Sequence, residues 1–242
     1  MATVATSAAL HHALVLDRQE LAQGVVLLGF DAPELVRVTR PGQFIMAIPP
    51  SGERAATALG IYEAGGNRAS VMFFVVGKRT AELASLGVGD RIALFGPLGN
   101  GFTIDRSRNT AIVAGGVGIA SVLLPAQALL RAGARVRLYY GARTAGLLVD
   151  RERFAREGCE VLVSTDDASM GHAGYVSDLL AQTDDPPDLI LACGPTPMLR
   201  AVARVAWTHL KASGEIDVGL EFTNEDNFWG LAWSDRPALR RA

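Results

Sequence analysis

The spacing of hydrophobic and polar positions changes part-way along this chain of 242 residues. Over the first hundred positions, short runs of aliphatic and aromatic residues alternate with turn-forming glycine, proline and asparagine. The runs lie at 24–30, 43–48, 70–76 and 91–95. Many short strands at this spacing, separated by such turns, are typical of a small antiparallel barrel. One short helix is predicted at residues 80–85.

From about residue 108, uninterrupted apolar strands alternate with helical stretches. The predicted strands are 110–114, 136–140, 161–164 and 189–192, and the predicted helices are 120–132, 151–157, 176–182 and 197–213. Such strands, joined by helices, indicate a parallel sheet covered on both faces. We therefore predict an antiparallel β-barrel, then a doubly wound parallel-sheet nucleotide-binding domain, then a short C-terminal tail.

The uncharged stretch 110–130 is long enough to span a bilayer. Its glycines and Pro125 favour a different interpretation, namely a buried strand, a turn and a helix of the sheet domain. We expect no membrane partner from it.

Composition narrows the possible functions. A net charge of −2 gives no electrostatic argument for binding nucleic acid or an anionic membrane. A hydrophobic fraction of 49% is ample for real cores. The two cysteines, Cys159 and Cys193, are far apart and fit neither a zinc site nor a disulfide framework, which suits a reducing cytoplasm. The four histidines are scattered, and no convincing catalytic acid, base or nucleophile stands out.

A glycine-rich turn at residues 114–120 follows a buried strand and opens a predicted helix. Gly115, Gly116 and Gly118 lack β-carbons, so a pyrophosphate can approach the backbone, and the helix N-terminus supplies N–H donors. The same glycines could instead form a tight turn that binds nothing. The strand–turn–helix context favours phosphate binding.

Thr165, Asp166 and Asp167 end another strand at the same edge of the predicted sheet. Carboxylates at this position can accept hydrogen bonds from ribose hydroxyls and would repel a 2′-phosphate, which favours NADH over NADPH. The alternative is that they are solvated loop acids.

The last predicted parallel strand ends at Cys193, Gly194 and Pro195. Ligands bind at such strand ends in open α/β sheets. Cys193 is either a small buried side chain or a neighbour of a nicotinamide ring. We favour the second because the Gly-Pro turn must leave the ring room.

Two loops of the barrel half look like the edges of a flavin slot. The segment 76–80 opens the short helix and can offer backbone N–H groups to a flavin diphosphate, and the segment 96–102 closes the barrel. The glycines of the second loop could also serve only a tight turn. The candidate residues are Val76, Gly77, Lys78, Thr80, Gly96, Gly99 and Asn100.

Together these residues resemble the ferredoxin reductase-like superfamily and, within it, the electron-transfer subunit of NAD-dependent bacterial dihydroorotate dehydrogenase. The matching motifs, in the family's order, are Val75-Val76-Gly77-Lys78, Gly96-Pro97-Leu98-Gly99-Asn100-Gly101-Phe102, Ala114-Gly115-Gly116-Val117-Gly118-Ile119-Ala120, Gly141-Ala142-Arg143-Thr144, Ser164-Thr165-Asp166-Asp167, Ala192-Cys193-Gly194-Pro195 and Leu220-Glu221. Arg143 thereby joins the candidate site residues.

The resemblance implies an FAD-binding barrel at 1–105 and an NADH-binding domain at 106–218, with the iron–sulfur-type tail at 219–242. It also implies electron transfer from NADH through FAD and a [2Fe–2S] cluster to the FMN of a catalytic dihydroorotate dehydrogenase-type subunit in a hetero-oligomer. This sequence departs from that pattern twice.

The first departure is in the FAD signature, Arg-Arg-Pro-(aliphatic)-Ser-Ile, which reads Ala-Thr-Ala-Leu-Gly-Ile here. Thr57 replaces the arginine that meets the flavin phosphate, and Gly60 replaces the serine near the isoalloxazine. Losing a charged phosphate contact removes about 1.5–3 kcal/mol of hydrogen bonding. Arg54 could substitute in a different register. Leu59, Gly60 and Ile61 remain candidate FAD contacts.

The second departure is in the cluster motif, Cys-x4-Cys-x2-Cys with a fourth cysteine beyond. Asp226, Leu231 and Ser234 occupy the first three positions, and no cysteine follows. A [2Fe–2S] centre needs four thiolates, or histidines in some variants, so we expect no cluster. The aromatic residues of this segment either rebuild a small core or cover a partner-facing surface.

Three functions remain open. The chain could be an NADH-oxidising flavoprotein subunit that passes electrons to a partner or small acceptor without the cluster. It could be a degenerate paralogue with a structural or regulatory role. It could also be a sensor that binds NADH through the sheet domain alone. We favour the first.

Overall fold

The computed structural model describes residues 8–51, 56–102, 104, 109–211, 217–221 and 228–234. The chain forms two units, Met1–Gly101 and Phe102–Ala242. Each unit has its own sheet. The change in the spacing of hydrophobic residues near residue 108 lies close to the boundary between the two units.

The first unit is a closed antiparallel barrel with the strand order β1-β2-β5-β4-β3-β6. Its strands are β1 Ala9–Ala22, β2 Val25–Asp31, β3 Phe44–Ile48, β4 Thr57–Gly65, β5 Arg68–Phe74 and β6 Arg91–Leu98, and its helices are α1 Pro33–Val38 and α2 Lys78–Ala84. The apolar runs predicted β2, β3, β5 and β6. They did not predict β4 or β1; the apolar run of β1 is only the four residues 13–16, and only Ala13 and Val15 of its 14 residues are buried.

The second unit is a seven-stranded sheet with the order β10-β9-β8-β7-β11-β13-β12. Its strands are β7 Asn109–Gly115, β8 Arg135–Ala142, β9 Glu160–Thr165, β10 His172–Ala173, β11 Leu189–Pro195, β12 Asp217–Glu221 and β13 Phe228–Ser234. Its helices are α3 Leu123–Arg131, α4 Arg151–Glu157, α5 Val176–Ala181 and α6 Thr196–Lys211, with 3-10 helices at Gly116–Ser121 and Ala145–Leu147. Barrel and helix-covered parallel sheet confirm the predicted fold class.

The C-terminal segment contributes two strands to this sheet. β13 runs antiparallel to β11 on one side and to β12 on the other. Sequence analysis predicted neither strand. Their pairing joins positions far apart in the chain, such as Leu189 with Ser234 and Ala192 with Leu231.

One face of the sheet packs against α5 and α6. Strand residues Ala111, Val113, Ile190 and Ala192 contribute to this core and are almost completely buried. None of the helices in the described part of the chain has the length and apolarity needed to span a membrane. The uncharged stretch 110–130 accordingly forms β7, a 3-10 helix and α3.

A buried arginine ties the amino-terminal edge of the sheet together. Arg137 is 5% exposed. Its guanidinium donates to Thr183 Oγ1 at 2.8 Å, to Asn109 Oδ1 at 3.0 Å and to the backbone carbonyl of Asp185. These bonds join β7, β8 and the loop before β11, at the opposite edge from the candidate site.

Candidate nucleotide-binding site

The order of the parallel strands reverses between β7 and β11. From β7 the chain builds outwards through β8, β9 and β10, and then returns to place β11 on the other side of β7. Open α/β sheets bind ligands in the crevice at such a switch point, outside the carboxyl ends of the strands. Here these ends are Gly115 and Pro195, so the structure brings the two predicted glycine-containing turns together.

The glycines of the first turn have different physical roles. A β-carbon at Gly118 would lie 2.1 Å from the carbonyl oxygen of Cys193, so this glycine permits backbone contact between the turn and β11. Gly116 has φ +54, and among the described residues, apart from its chain neighbours, no heavy atom lies within 4 Å of its β-carbon position. Of these two glycines, Gly116 leaves an open approach for a phosphate. The turn leads into the 3-10 helix Gly116–Ser121, and α3 follows it.

Met198 lies against the other two glycines of the crevice and was missed by sequence analysis. A β-carbon at Gly115 would lie 2.5 Å from Met198 Sδ, and one at Gly194 would lie 2.6 Å from Met198 Cε. These glycines are therefore explained by packing against a thioether. The available signal was the position of Met198 at the start of a helix, three residues after Pro195.

Cys193 is part of the packed interior. Its side chain is 2% exposed, and its thiol forms a hydrogen bond with Ser121. Burial raises the pKa of the thiol to about 11, so it is protonated at neutral pH. This burial is what a small packed side chain shows, and a contact between the thiol and a nicotinamide ring stays a prediction. Gly194 and the exposed Pro195 remain at the strand end.

The acidic strand end of β9 lies beside the end of β8. The amide of Asp166 donates to the carbonyl of Ala142 at 3.1 Å, and the amide of Asp167 donates to the carbonyl of Arg143 at 3.2 Å. Asp166, Asp167 and Arg143 are all exposed. The structure thus groups these three predicted residues at one edge of the sheet.

Thr165 and Asp167 are already engaged by their own loop. Thr165 is buried, and its hydroxyl both donates to and accepts from the backbone of Met170 at 2.9 Å. The Asp167 carboxylate accepts from the amide and hydroxyl of Ser169, and these hydrogen bonds lower its pKa. Thr165 is therefore a structural residue, and Asp166 is the better candidate for a ribose contact.

In the barrel, Thr80 occupies two of the amides expected to meet a flavin diphosphate. Its Oγ1 accepts from Val76 N at 3.0 Å and from Gly77 N at 3.1 Å, and it donates to the Gly77 carbonyl. In this conformation both amides donate to Thr80, and a contact of Val76 and Gly77 with a flavin phosphate stays a prediction. Lys78 is exposed at the start of α2.

The strand that carries the altered FAD signature is β4. Leu59 and Ile61 are buried, so their side chains belong to the barrel core. Gly60 pairs with Phe44 of β3. The hydroxyl oxygen of Thr57 is buried and has no hydrogen-bond partner among the described residues. Arg54, the alternative phosphate contact, lies outside the described residues.

Packing explains the glycines of the second barrel loop. A β-carbon at Gly96 would lie 2.9 Å from Ile45 Cγ2, and one at Gly99 would lie 3.1 Å from the ring of Phe44. Gly99 also has φ +78. Asn100 is exposed and is the polar side chain that this loop offers to a ligand. Among the described residues no cluster of three potential metal ligands occurs.

Comparison with known proteins agrees with this geometry. The family model of the oxidoreductase NAD-binding domain matches residues 112–204, which include all the sheet-side candidates. The electron transfer subunit of dihydroorotate dehydrogenase B (NAD(+)) from Desulforamulus reducens is 31% identical over 200 residues, covering 79% of this chain and 76% of the relative. The chain belongs to this electron transfer subunit family.

Two further relatives extend the comparison. The subunit of the same family from Clostridium acetobutylicum is 38% identical over 172 residues, and the match covers 69% of this chain and 66% of that protein. The solved structure of an NADH-dependent reduced ferredoxin-NADP oxidoreductase, described for flavin-based electron bifurcation, has a TM-score of 0.74 at 30% identity. That alignment covers 80% of this chain and 71% of the other. Family membership confirms the resemblance inferred from the motifs.

Proposed function

We propose that this chain is an NADH-oxidising flavoprotein subunit that passes electrons to a dihydroorotate dehydrogenase-type partner, or to another acceptor, without a [2Fe–2S] relay. The observation that carries the proposal is the crevice between the β7 and β11 turns, with the open backbone of Gly116. FAD, when bound, accepts the hydride of NADH and passes its electrons on. The chain's own residues need only bind and orient the two cofactors.

On the NADH side, Gly116 leaves room for the pyrophosphate, and the exposed carboxylate of Asp166 can accept hydrogen bonds from ribose hydroxyls. The same negative charge disfavours a 2′-phosphate. Asp166→Asn should therefore reduce the preference for NADH over NADPH. Asp167→Asn is the matched control, because the Asp167 carboxylate already accepts hydrogen bonds from the amide and hydroxyl of Ser169. Equal preference in the wild-type protein would contradict this role.

On the FAD side, the residues present fit the group incompletely. The unpartnered hydroxyl of Thr57 can donate one hydrogen bond to a phosphate, and Lys78 and Asn100 expose polar groups. Thr57 lacks the charge of the family's arginine. Because a hydrogen bond to a charged group contributes about 1.5–3 kcal/mol, we expect FAD to bind roughly 10- to 150-fold more weakly than with an arginine.

The absence of a cluster relay is supported by the residue types at the cluster positions. Leu231 and Ser234 both lie in β13. Neither leucine nor serine carries the thiolate or imidazole that holds a [2Fe–2S] centre. Asp226 lies outside the described residues. The chain's two cysteines are buried elsewhere in the sheet unit.

The visible absorption spectrum of the purified protein tests the proposal. We expect flavin bands that NADH bleaches, without iron–sulfur bands. A colourless protein that FAD does not reconstitute would refute electron transfer by this chain. Persistent iron–sulfur absorption would refute the missing relay.

A regulatory role is the second candidate, and the loss of the flavin arginine at Thr57 favours it. In that case the chain would co-purify with a dihydroorotate dehydrogenase catalytic subunit, and dihydroorotate oxidation would not respond to NAD. A sensor that uses only the sheet unit is the third. It would bind NADH equally well with and without FAD.

A further inference from the structure

We infer that Met198 is a positioning residue for the dinucleotide: its thioether sets the spacing between the two turns that border the crevice. This inference rests on the proposed NADH site. Met198 is not one of the glycines of the two turns, nor one of the acids at the end of β9.

The first observation is that one side chain contacts both turns. The Met198 sulfur lies 2.5 Å from the β-carbon position of Gly115 and 3.0 Å from that of Gly194. Its terminal methyl carbon lies 3.6 and 2.6 Å from the same two positions. The end of the side chain therefore occupies the space that β-carbons would take on both strands.

The second observation is that the two turns also contact each other. A β-carbon at Gly194 would lie 3.1 Å from the backbone nitrogen of Gly115. β7 and β11 pair as parallel strands up to Ala114 and Cys193, so the volume beneath these glycines acts on the turns just beyond that last pair. Because the crevice lies outside the strand ends, its shape depends on how these turns are held.

The third observation is that Met198 is only partly buried. It packs against the core beneath α5 and α6, yet it remains partly exposed. Methionine has an unbranched, polarisable side chain that adapts to irregular spaces. It can keep contact with both glycines while the turns adjust to a bound pyrophosphate.

Met198→Ala tests the inference, with Met198→Leu as the volume-conserving variant. The matched control is Leu199→Ala, since Leu199 is 2% exposed in the same core but supplies none of the nearest atoms to Gly115 or Gly194. Binding of NAD⁺ is measured by calorimetry, and folding by thermal unfolding of the same samples. Neither measurement needs turnover.

We expect Met198→Ala to raise the Kd for NAD⁺ about tenfold, which corresponds to about 1.4 kcal/mol. Met198→Leu should stay within about threefold of the wild type because it restores most of the volume. Leu199→Ala should lower the unfolding temperature at least as much as Met198→Ala does, but it should leave the Kd for NAD⁺ unchanged.

An unchanged Kd in Met198→Ala, or an equal rise in Leu199→Ala, would overturn the positioning role. Wild-type protein that binds NAD⁺ but cannot reduce a flavin with NADH would overturn the proposed function while leaving this result standing. Wild-type protein that binds no dinucleotide would overturn both.

Discussion

Gly118 lies so close to β11 that replacing it with alanine should lower both the stability of the protein and its activity with NADH. A β-carbon at this position would lie 2.1 Å from the carbonyl oxygen and 2.6 Å from the carbonyl carbon of Cys193. Real β-carbons essentially never approach closer than 3.0 Å, so Gly118→Ala must displace one backbone segment by about 0.9 Å. The obstacle is backbone, which cannot move aside as a flexible side chain could.

Overpacking a core costs about 1–3 kcal/mol, and we expect the upper end because two backbones collide. For a protein of this size, about 3 kcal/mol lowers the unfolding temperature by roughly 6–12 °C. The same displacement moves the border of the crevice. A shift of about 1 Å near a binding site can cost on the order of 100-fold in rate, so kcat/KM for NADH should fall steeply.

Gly116→Ala is the control for this variant. Its β-carbon meets no atom within 4 Å, and the cost comes from the left-handed backbone at φ +54. That cost is about 1–2 kcal/mol, or roughly 2–8 °C in unfolding temperature. Differential scanning calorimetry and an NADH titration measure both variants. If Gly118→Ala is no less stable than Gly116→Ala, the argued contact with Cys193 is wrong.

Other parts of the fold make further predictions. Arg137→Ala removes the hydrogen bonds of a buried guanidinium to partly buried and exposed partners, so the unfolding free energy should fall by about 2 kcal/mol in urea titrations, and an unchanged value would contradict a stabilising role of this network. Thr57→Arg restores a cation beside the flavin phosphate and should slow FAD dissociation about tenfold or more, measured by the recovery of flavin fluorescence. The thiols of Cys193 and Cys159 have pKa values raised by burial to about 11 and about 12, from an ordinary value of 9.0. The folded chain therefore holds protons that the unfolded chain releases, so stability is full below pH 9 and declines as the pH rises towards 11. Unfolding midpoints at several pH values, compared with those of Cys159→Ala, check the decline, and a midpoint that rises with pH would contradict it.

The sequence alone determined the fold class, and it predicts the approximate place of the site. Local patterns were sufficient, because uninterrupted apolar runs joined by helices specify a parallel sheet, and a glycine-rich turn after such a strand marks its carboxyl edge. The family motifs have the same local character, which is why the resemblance and the fold class were confirmed. The strand β1 was not predicted because most of its residues are exposed or only partly buried, and β13 was not predicted because its place depends on pairing with β11, which is distant in sequence.

Only the tertiary structure decided what each motif residue does. Gly118 is a packing glycine because Cys193, distant in sequence, lies over it, whereas Gly116 faces open space. Met198 entered the site because the two sheet strands that end at the crevice bring both glycines beneath its thioether. The hydrogen bonds from the amides of Val76 and Gly77 to Thr80 could not be read from the sequence, although these residues are only three or four positions apart. Sequence patterns report which backbone conformations are allowed, but contacts across a sheet depend on distances that no single segment encodes.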